Sequence, residues 1–201
     1  MSRIQITLRL RPSLLSILIA VMLLGIAGPA HSQGASGASP RIELAGAYSF
    51  LRANPANSGG LNLNGASESL AYAFSGRFSA AADVGEYRFS GLSAGLTSTM
   101  YTYLFGPRIA FRRRSHVNYF VQILAGGGRL NANSGGISAG ENGFAMAAGG
   151  GLDVAFGGRF AVRVVQADYL VTRYDSVAGS PATQSHTRIS AGVVFRFGGR
   201  E

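Results

Sequence analysis

From Arg41 to Phe197 the chain runs through eight stretches in which apolar and small or polar residues alternate every second position, with no convincing amphipathic helix between them. A period of two limits such a chain to extended strands whose two faces meet different surroundings. The last stretch, 186–197, shows it best. Ile189, Ala191, Val193, Phe195 and Phe197 fall on one side, and Arg188, Ser190, Gly192, Val194 and Arg196 on the other. Stretch 41–52 sets Ile42, Leu44, Tyr48 and Phe50 against Glu43, Ala45, Ala47 and Ser49. The others run over 65–75, 78–89, 100–112, 117–130, 142–155 and 159–173. Three carry irregularities. In the third stretch Glu86 and Arg88 share a face with Val84, which predicts a bulge. Pro107 predicts an edge or bulge in the fourth, because it lacks a ladder donor. In the seventh, Arg163, Gln166 and Asp168 share a face only with a bulge near Val165.

The connections alternate in length. Segments 54–64, 90–99, 131–141 and 175–185 are long and rich in Gly, Asn, Ser and Ala, while 75–77, 113–116 and 156–158 are short. That pattern predicts an even number of strands with both ends of the sheet on the short-turn side, as in transmembrane barrels.

Composition decides which face points outward. Only 13% of residues are charged, well below the roughly 25–35% that suits a water-exposed surface. The polar faces are mostly Ala, Gly and Ser, which fit the crowded interior of a narrow barrel. The wide aromatics Tyr48, Phe50, Tyr72, Phe74, Tyr101, Tyr103, Phe105, Phe111, Tyr119, Phe144, Phe160, Phe195 and Phe197 are then expected to face lipid. The expected fold is all-β: an eight-stranded antiparallel up-and-down transmembrane β-barrel over residues 41–201. A soluble lipocalin-like binder, with the apolar face inward, is the alternative that periodicity alone leaves open.

The N-terminus reads as an address. Arg3, Arg9 and Arg11 precede the apolar run 14–27, and Ala30-His31-Ser32 offers small residues for cleavage, so residues 1–32 are expected to be a cleaved secretory signal peptide and 33–40 a flexible spacer. The chain has no cysteine, which excludes a lipoprotein anchor, disulfides and thiolate metal sites. Without the three N-terminal arginines, 15 basic residues stand against 9 acidic ones. They are scattered singly except for Arg112-Arg113-Arg114, so no nucleic-acid groove is expected. The run itself reads as a solvated turn or a contact to anionic headgroups. No metal, cofactor or phosphate loop is expected; the triplets Gly126-Gly127-Gly128 and Gly149-Gly150-Gly151 lack the Lys and helix of a phosphate loop and are expected to relieve crowding inside the barrel.

Ser190, Gly192, Phe195 and Phe197 follow the order polar-x-Gly-x-x-aromatic-x-aromatic, which resembles the C-terminal insertion signal of outer-membrane β-barrels. Family members commonly stop at that last aromatic, whereas Gly198-Gly199-Arg200-Glu201 follow here. Together with 101–108, 149–154 and 163–169, the ending makes most of the mature chain resemble the small OmpA-like barrel domain. The resemblance implies the outer membrane of a Gram-negative-type bacterium, contact with its lipid and lipopolysaccharide, delivery to the barrel-assembly machinery through the last strand, and a monomer. With no further domain after Glu201, a peptidoglycan-tethering role is not expected.

Inward charges form the candidate site: Glu43, Asp83, Arg108, Asp153, Arg163, Asp168, Arg188 and Arg196. Pairing is the expected state of buried charge, and strand neighbours predict Glu43 with Arg196, Asp83 with Arg108, Asp153 with Arg163, and Asp168 with Arg188. Such a network fills the lumen of a structural or surface-interaction protein; the other readings are an ion-selective constriction in a small-solute channel and a lipid-modifying enzyme. For the enzyme, His116 lies beside Ser115, and Ser185-His186 point to opposite faces. Ser190 stands roughly 13 Å along the strand from His186, too far for a catalytic pair.

Overall fold

A computed structural model describes residues 41–54, 61–90, 97–112, 116–134, 137–156, 159–174 and 182–198. The expected signal peptide, the spacer, Arg113 and Arg114, and residues 199–201 lie outside them. All regular structure among the described residues is β: β1 (Arg41–Asn54), β2 (Leu61–Ala73), β3 (Phe78–Ser90), β4 (Thr97–Arg112), β5 (Val117–Ser134), β6 (Ile137–Ala155), β7 (Phe160–Tyr174) and β8 (Ala182–Phe197). Each pairs antiparallel with the next, and β8 pairs with β1, closing a barrel.

The register fixes the barrel's shape. Partners traced from Leu44 run through Leu70, Ala82, Phe105, Ala125, Met146, Val171 and Ser185 and return to β1 at Asn54, ten residues above the start. Eight strands with that stagger tilt by roughly 40–45° and leave a lumen that side chains fill. We call the end holding Arg41 and Phe197 the lower end.

The apolar faces point outward. Tyr48, Phe74 and Phe105 are each about two-thirds exposed, and the other aromatics expected to face lipid are exposed or, at Tyr101, half-buried. Phe74, Phe78, Phe111, Tyr119, Phe160, Phe195 and Phe197 ring the lower end, while Phe50, Tyr101, Tyr103, Phe144 and Tyr169 form a higher band. This overturns the apolar-inward ligand-barrel alternative. Leu51, Leu63, Tyr87, Met100, Leu104, Leu124 and Leu170 pack in one buried cluster that starts level with the inward charges, Leu51 beside Arg188 and Leu104 beside Asp83, and continues above them. A smaller cluster of Ala45, Ala161 and Val194 sits lower, just above the Glu43 and Arg196 pair.

Four local expectations need correction, and one stands. The β7 bulge is present: Asp153 pairs with Arg163 and Leu152 with Val165, and the register to β8 shifts between Arg163 and Gln166. β3 keeps one register throughout. Glu86 and Arg88 simply share the outward face near the upper rim, where Arg88 Nε donates to Glu86 Oε1 at 2.7 Å. Pro107 occupies neither an edge nor a bulge; pairing with β5 lapses between Phe105↔Ala125 and Arg108↔Gln122 without any slip. The third long connection is not one, because β5 and β6 stay paired through Asn131↔Gly140 and Asn133↔Ser138, with only residues 135–136 between the strands. Strict length alternation therefore fails. β2, β4 and β8 likewise begin before the expected 65, 100 and 186, at Leu61, Thr97 and Ala182. Gly, Asn and Ser at these positions report contact with water, and a ladder of backbone hydrogen bonds forms there regardless.

Candidate functional site: a charge network across the barrel lumen

Alternation on six strands, β4 with Arg108 among them, aims the charged side chains at one another. β7, whose bulge restores the inward phase, supplies Arg163, Gln166 and Asp168; β8 supplies Arg188 and Arg196; β1, β3 and β6 supply Glu43, Asp83 and Asp153. Arg188, fully buried, is the hub. Its Nη1 donates to Asp83 Oδ1 at 2.6 Å and to the Tyr87 hydroxyl at 2.9 Å, and its Nη2 and Nε donate to Asp168 Oδ2 at 2.7 and 2.9 Å. One guanidinium thus joins β8 to its neighbour β7 and, across the lumen, to β3.

The network continues downward. Asp168 also accepts from Gln166 Nε2 at 2.7 Å and from Gln122 Nε2 at 3.1 Å. Arg163 gives Nη1 to Gln166 Oε1 at 2.8 Å and grips Asp153 with two bonds, 2.9 and 3.2 Å. Arg196 donates to Glu43 at 3.0 Å and lies 3.8 Å from Asp153. Arg108 donates twice to Gln122 Oε1, at 3.0 and 2.7 Å. Arg108 and Arg163 each place their guanidinium 4.5 Å from the ring centroid of buried Phe120, so one aromatic ring supports two cations whose partners lie elsewhere.

All eight predicted charges face the lumen, and three of the four expected pairs form. Asp83 with Arg108 does not. Asp83 is level with Leu104 and Arg108 with Ser79, four residues or roughly 13 Å apart along the sheet. Asp83 therefore reaches across to Arg188. Sequence reasoning missed Gln122, Tyr87 and Phe120, whose inward phase was the only signal available.

Glycines make room for this packing. A Cβ on Gly151 would come within 2.7 Å of the Phe120 ring and 2.8 Å of the Val165 carbonyl oxygen, and one on Gly149 would strike Asp168 and the Ala167 carbonyl. Gly151→Val is expected to destabilise the refolded barrel by about 1–3 kcal/mol, the usual cost of overpacking. An unchanged urea midpoint would show that Phe120 has slack the structure does not give it.

Comparison with solved structures is decisive for the fold. Neisserial surface protein A is similar over 81% of this chain and 100% of that one, with a TM-score of 0.60 and 16% identity. Ail, the attachment invasion locus protein of Yersinia pestis, is similar over 80% and 99%, with a TM-score of 0.54 and 18% identity. This chain has the fold of the small eight-stranded outer-membrane barrels. No family model matches the sequence, and neither does any curated protein.

Within this outer-membrane barrel fold, β8 forms the closing seam with β1. Ser190 and Gly192 point inward and Phe195 and Phe197 outward. Ser190 Oγ lies 2.7 Å from Ser49 Oγ, which lies 2.8 Å from Ser67 Oγ, a hydroxyl chain crossing the seam. Phe195 packs 4.5 Å from Phe160 and 6.4 Å from Phe197, centroid to centroid.

The hydrolase geometry is not assembled here. Ser190 is engaged by Ser49, and His186 Nε2 contacts Thr172 Oγ1 at 2.9 Å. Among the described residues no partner reaches His186 Nδ1 to act as orienting acid, which nucleophilic catalysis of this type needs. Ser115 lies outside the described residues. Among those residues no cluster of three or more His, Asp or Glu has metal-site geometry.

Proposed function

We propose that this protein is an exported, non-enzymatic outer-membrane barrel with a structural or surface-interaction role, its lumen closed by the network centred on Arg188. The observation that carries the reading is the single guanidinium held between Asp83 and Asp168 on opposite sides of the lumen, with buried apolar side chains packed beside and above it. A conducting pore needs a continuous wet path, and a filled eight-stranded lumen offers none. In planar bilayers the refolded protein is therefore expected to give no stable conductance steps. Reproducible porin-sized openings would replace this reading with the channel one.

Export rests on the signal-peptide pattern of residues 1–32, and assembly on Ser190, Gly192, Phe195 and Phe197 acting as the insertion signal. Lipopolysaccharide is the proposed surface partner. Arg52, Arg88, Arg129 and Arg173 stand outward near the upper ends of the four odd-numbered strands, at the top of the higher aromatic band, with Arg129 beside Tyr101 and Arg173 beside Phe144. Guanidinium groups there suit the phosphates of an anionic outer leaflet. Replacing Arg52 and Arg129 together with Gln is expected to reduce the lipopolysaccharide that co-purifies with the barrel. Equal amounts on both proteins would remove this partner.

A further inference from the structure

Among the described residues, one acid stands on the lipid-facing wall away from its rim. Glu68 lies on the outward face of β2 between Ala66 and Leu70, level with Gly46 on β1 and Val84 on β3. Tyr72, in the lower aromatic region, is four residues below it, about 10 Å along the barrel axis for a strand at this tilt. The apolar band of such barrels is about 25 Å tall, so Glu68 sits near its middle. Among the described residues none makes a hydrogen bond or ion pair with its carboxylate, while Glu86, the other outward acid among them, is paired with Arg88 at the rim. An ionisable group at this depth marks a site with a partner.

The surroundings define that partner. A Cβ on Gly46 would meet nothing within 4 Å, so the wall beside Glu68 is notched, and the adjoining outward residues Ala66 and Ala82 are small. Small residues are what permit close approach between membrane-embedded elements. At the edge of the notch Tyr48, level with Ala66, is 64% exposed. We propose that this β1–β2 face is a self-association surface, on which Glu68 of one copy of the chain accepts a hydrogen bond from the Tyr48 hydroxyl of a second. Two copies inserted in the same direction are related by an axis along the membrane normal, which brings together groups of similar depth. Tyr48 and Glu68 satisfy that condition on adjacent strands, and each copy offers both donor and acceptor. The inference rests only on the barrel spanning a membrane, not on the closed lumen or the lipopolysaccharide contact, and it replaces the monomer expected from sequence.

The absence of native cysteine makes the test direct. The full chain carrying Ala66→Cys, oxidised in the membrane, is expected to give a disulfide-linked dimer, and Ala148→Cys, outward on the far wall, is expected to stay monomeric. Adding Glu68→Leu to Ala66→Cys should abolish the dimer, and Glu68→Gln, which keeps hydrogen-bonding atoms, should retain part of it. Heat-modifiable mobility of each variant shows that it has folded. The proposal is overturned by three results: a monomeric Ala66→Cys chain, equal crosslinking at Ala148→Cys, or a crosslink to a protein of different mass without a homodimer.

Discussion

Arg188→Ala is expected to lower the stability of the refolded barrel by about 3–5 kcal/mol or more, because breaking a buried ion pair by removing one partner typically costs that much, and here two carboxylates, Asp83 and Asp168, lose the same partner. Removing the acids together with the base should cost less: the triple variant Asp83→Asn, Asp168→Asn, Arg188→Met leaves no charge stranded. Urea unfolding in detergent or lipid reads both. The Asp153 and Arg163 pair gives a second cycle, in which each alanine variant destabilises and the double variant recovers part of the loss. Asp83 and Arg108, by contrast, are expected to show no direct coupling. An Arg188→Ala protein as stable as the parent would mean that the network does not hold the barrel together.

Phe197→Asp is expected to prevent accumulation of the protein in the outer membrane. Phe197 is level with Ile42 at the foot of the seam, faces outward, and stacks on Phe195, which packs on Phe160. A carboxylate there opposes lipid burial and breaks the aromatic row that ends the proposed insertion signal. Deleting residues 198–201 removes none of these contacts, and the shortened chain should assemble. Gly198, at φ 70, turns the backbone away from β8 just after Phe197, a conformation that glycine adopts without strain. Normal membrane levels of Phe197→Asp would show that this strand is not read as proposed.

Much of this architecture is legible in the sequence because its signal is local. Period-two alternation yields strand number and outward face without any long-range information, and the narrow lumen forces inward charges to pair. Glu43 with Arg196, Asp153 with Arg163, and Asp168 with Arg188 are neighbours on adjacent strands, so chain order predicts them. The Asp83 contact crosses the lumen to β8, at a separation of 105 residues, and depends on the stagger of the whole barrel, which no single hairpin encodes. Gln122 and Gln166 carry no charge to draw attention, yet they link Arg108 and Arg163 to Asp168. The polar strand ends were hidden for another reason. At 131–141 the composition describes a wet surface, and wet surfaces occur on paired strands as readily as on loops.

Whether the closed barrel turns its apolar wall to lipid is read by membrane fractionation of the expressed protein followed by gel mobility with and without boiling. The expected result is recovery in the outer-membrane fraction and a shift in migration on heating. Recovery as a soluble periplasmic protein with unchanged mobility would contradict it.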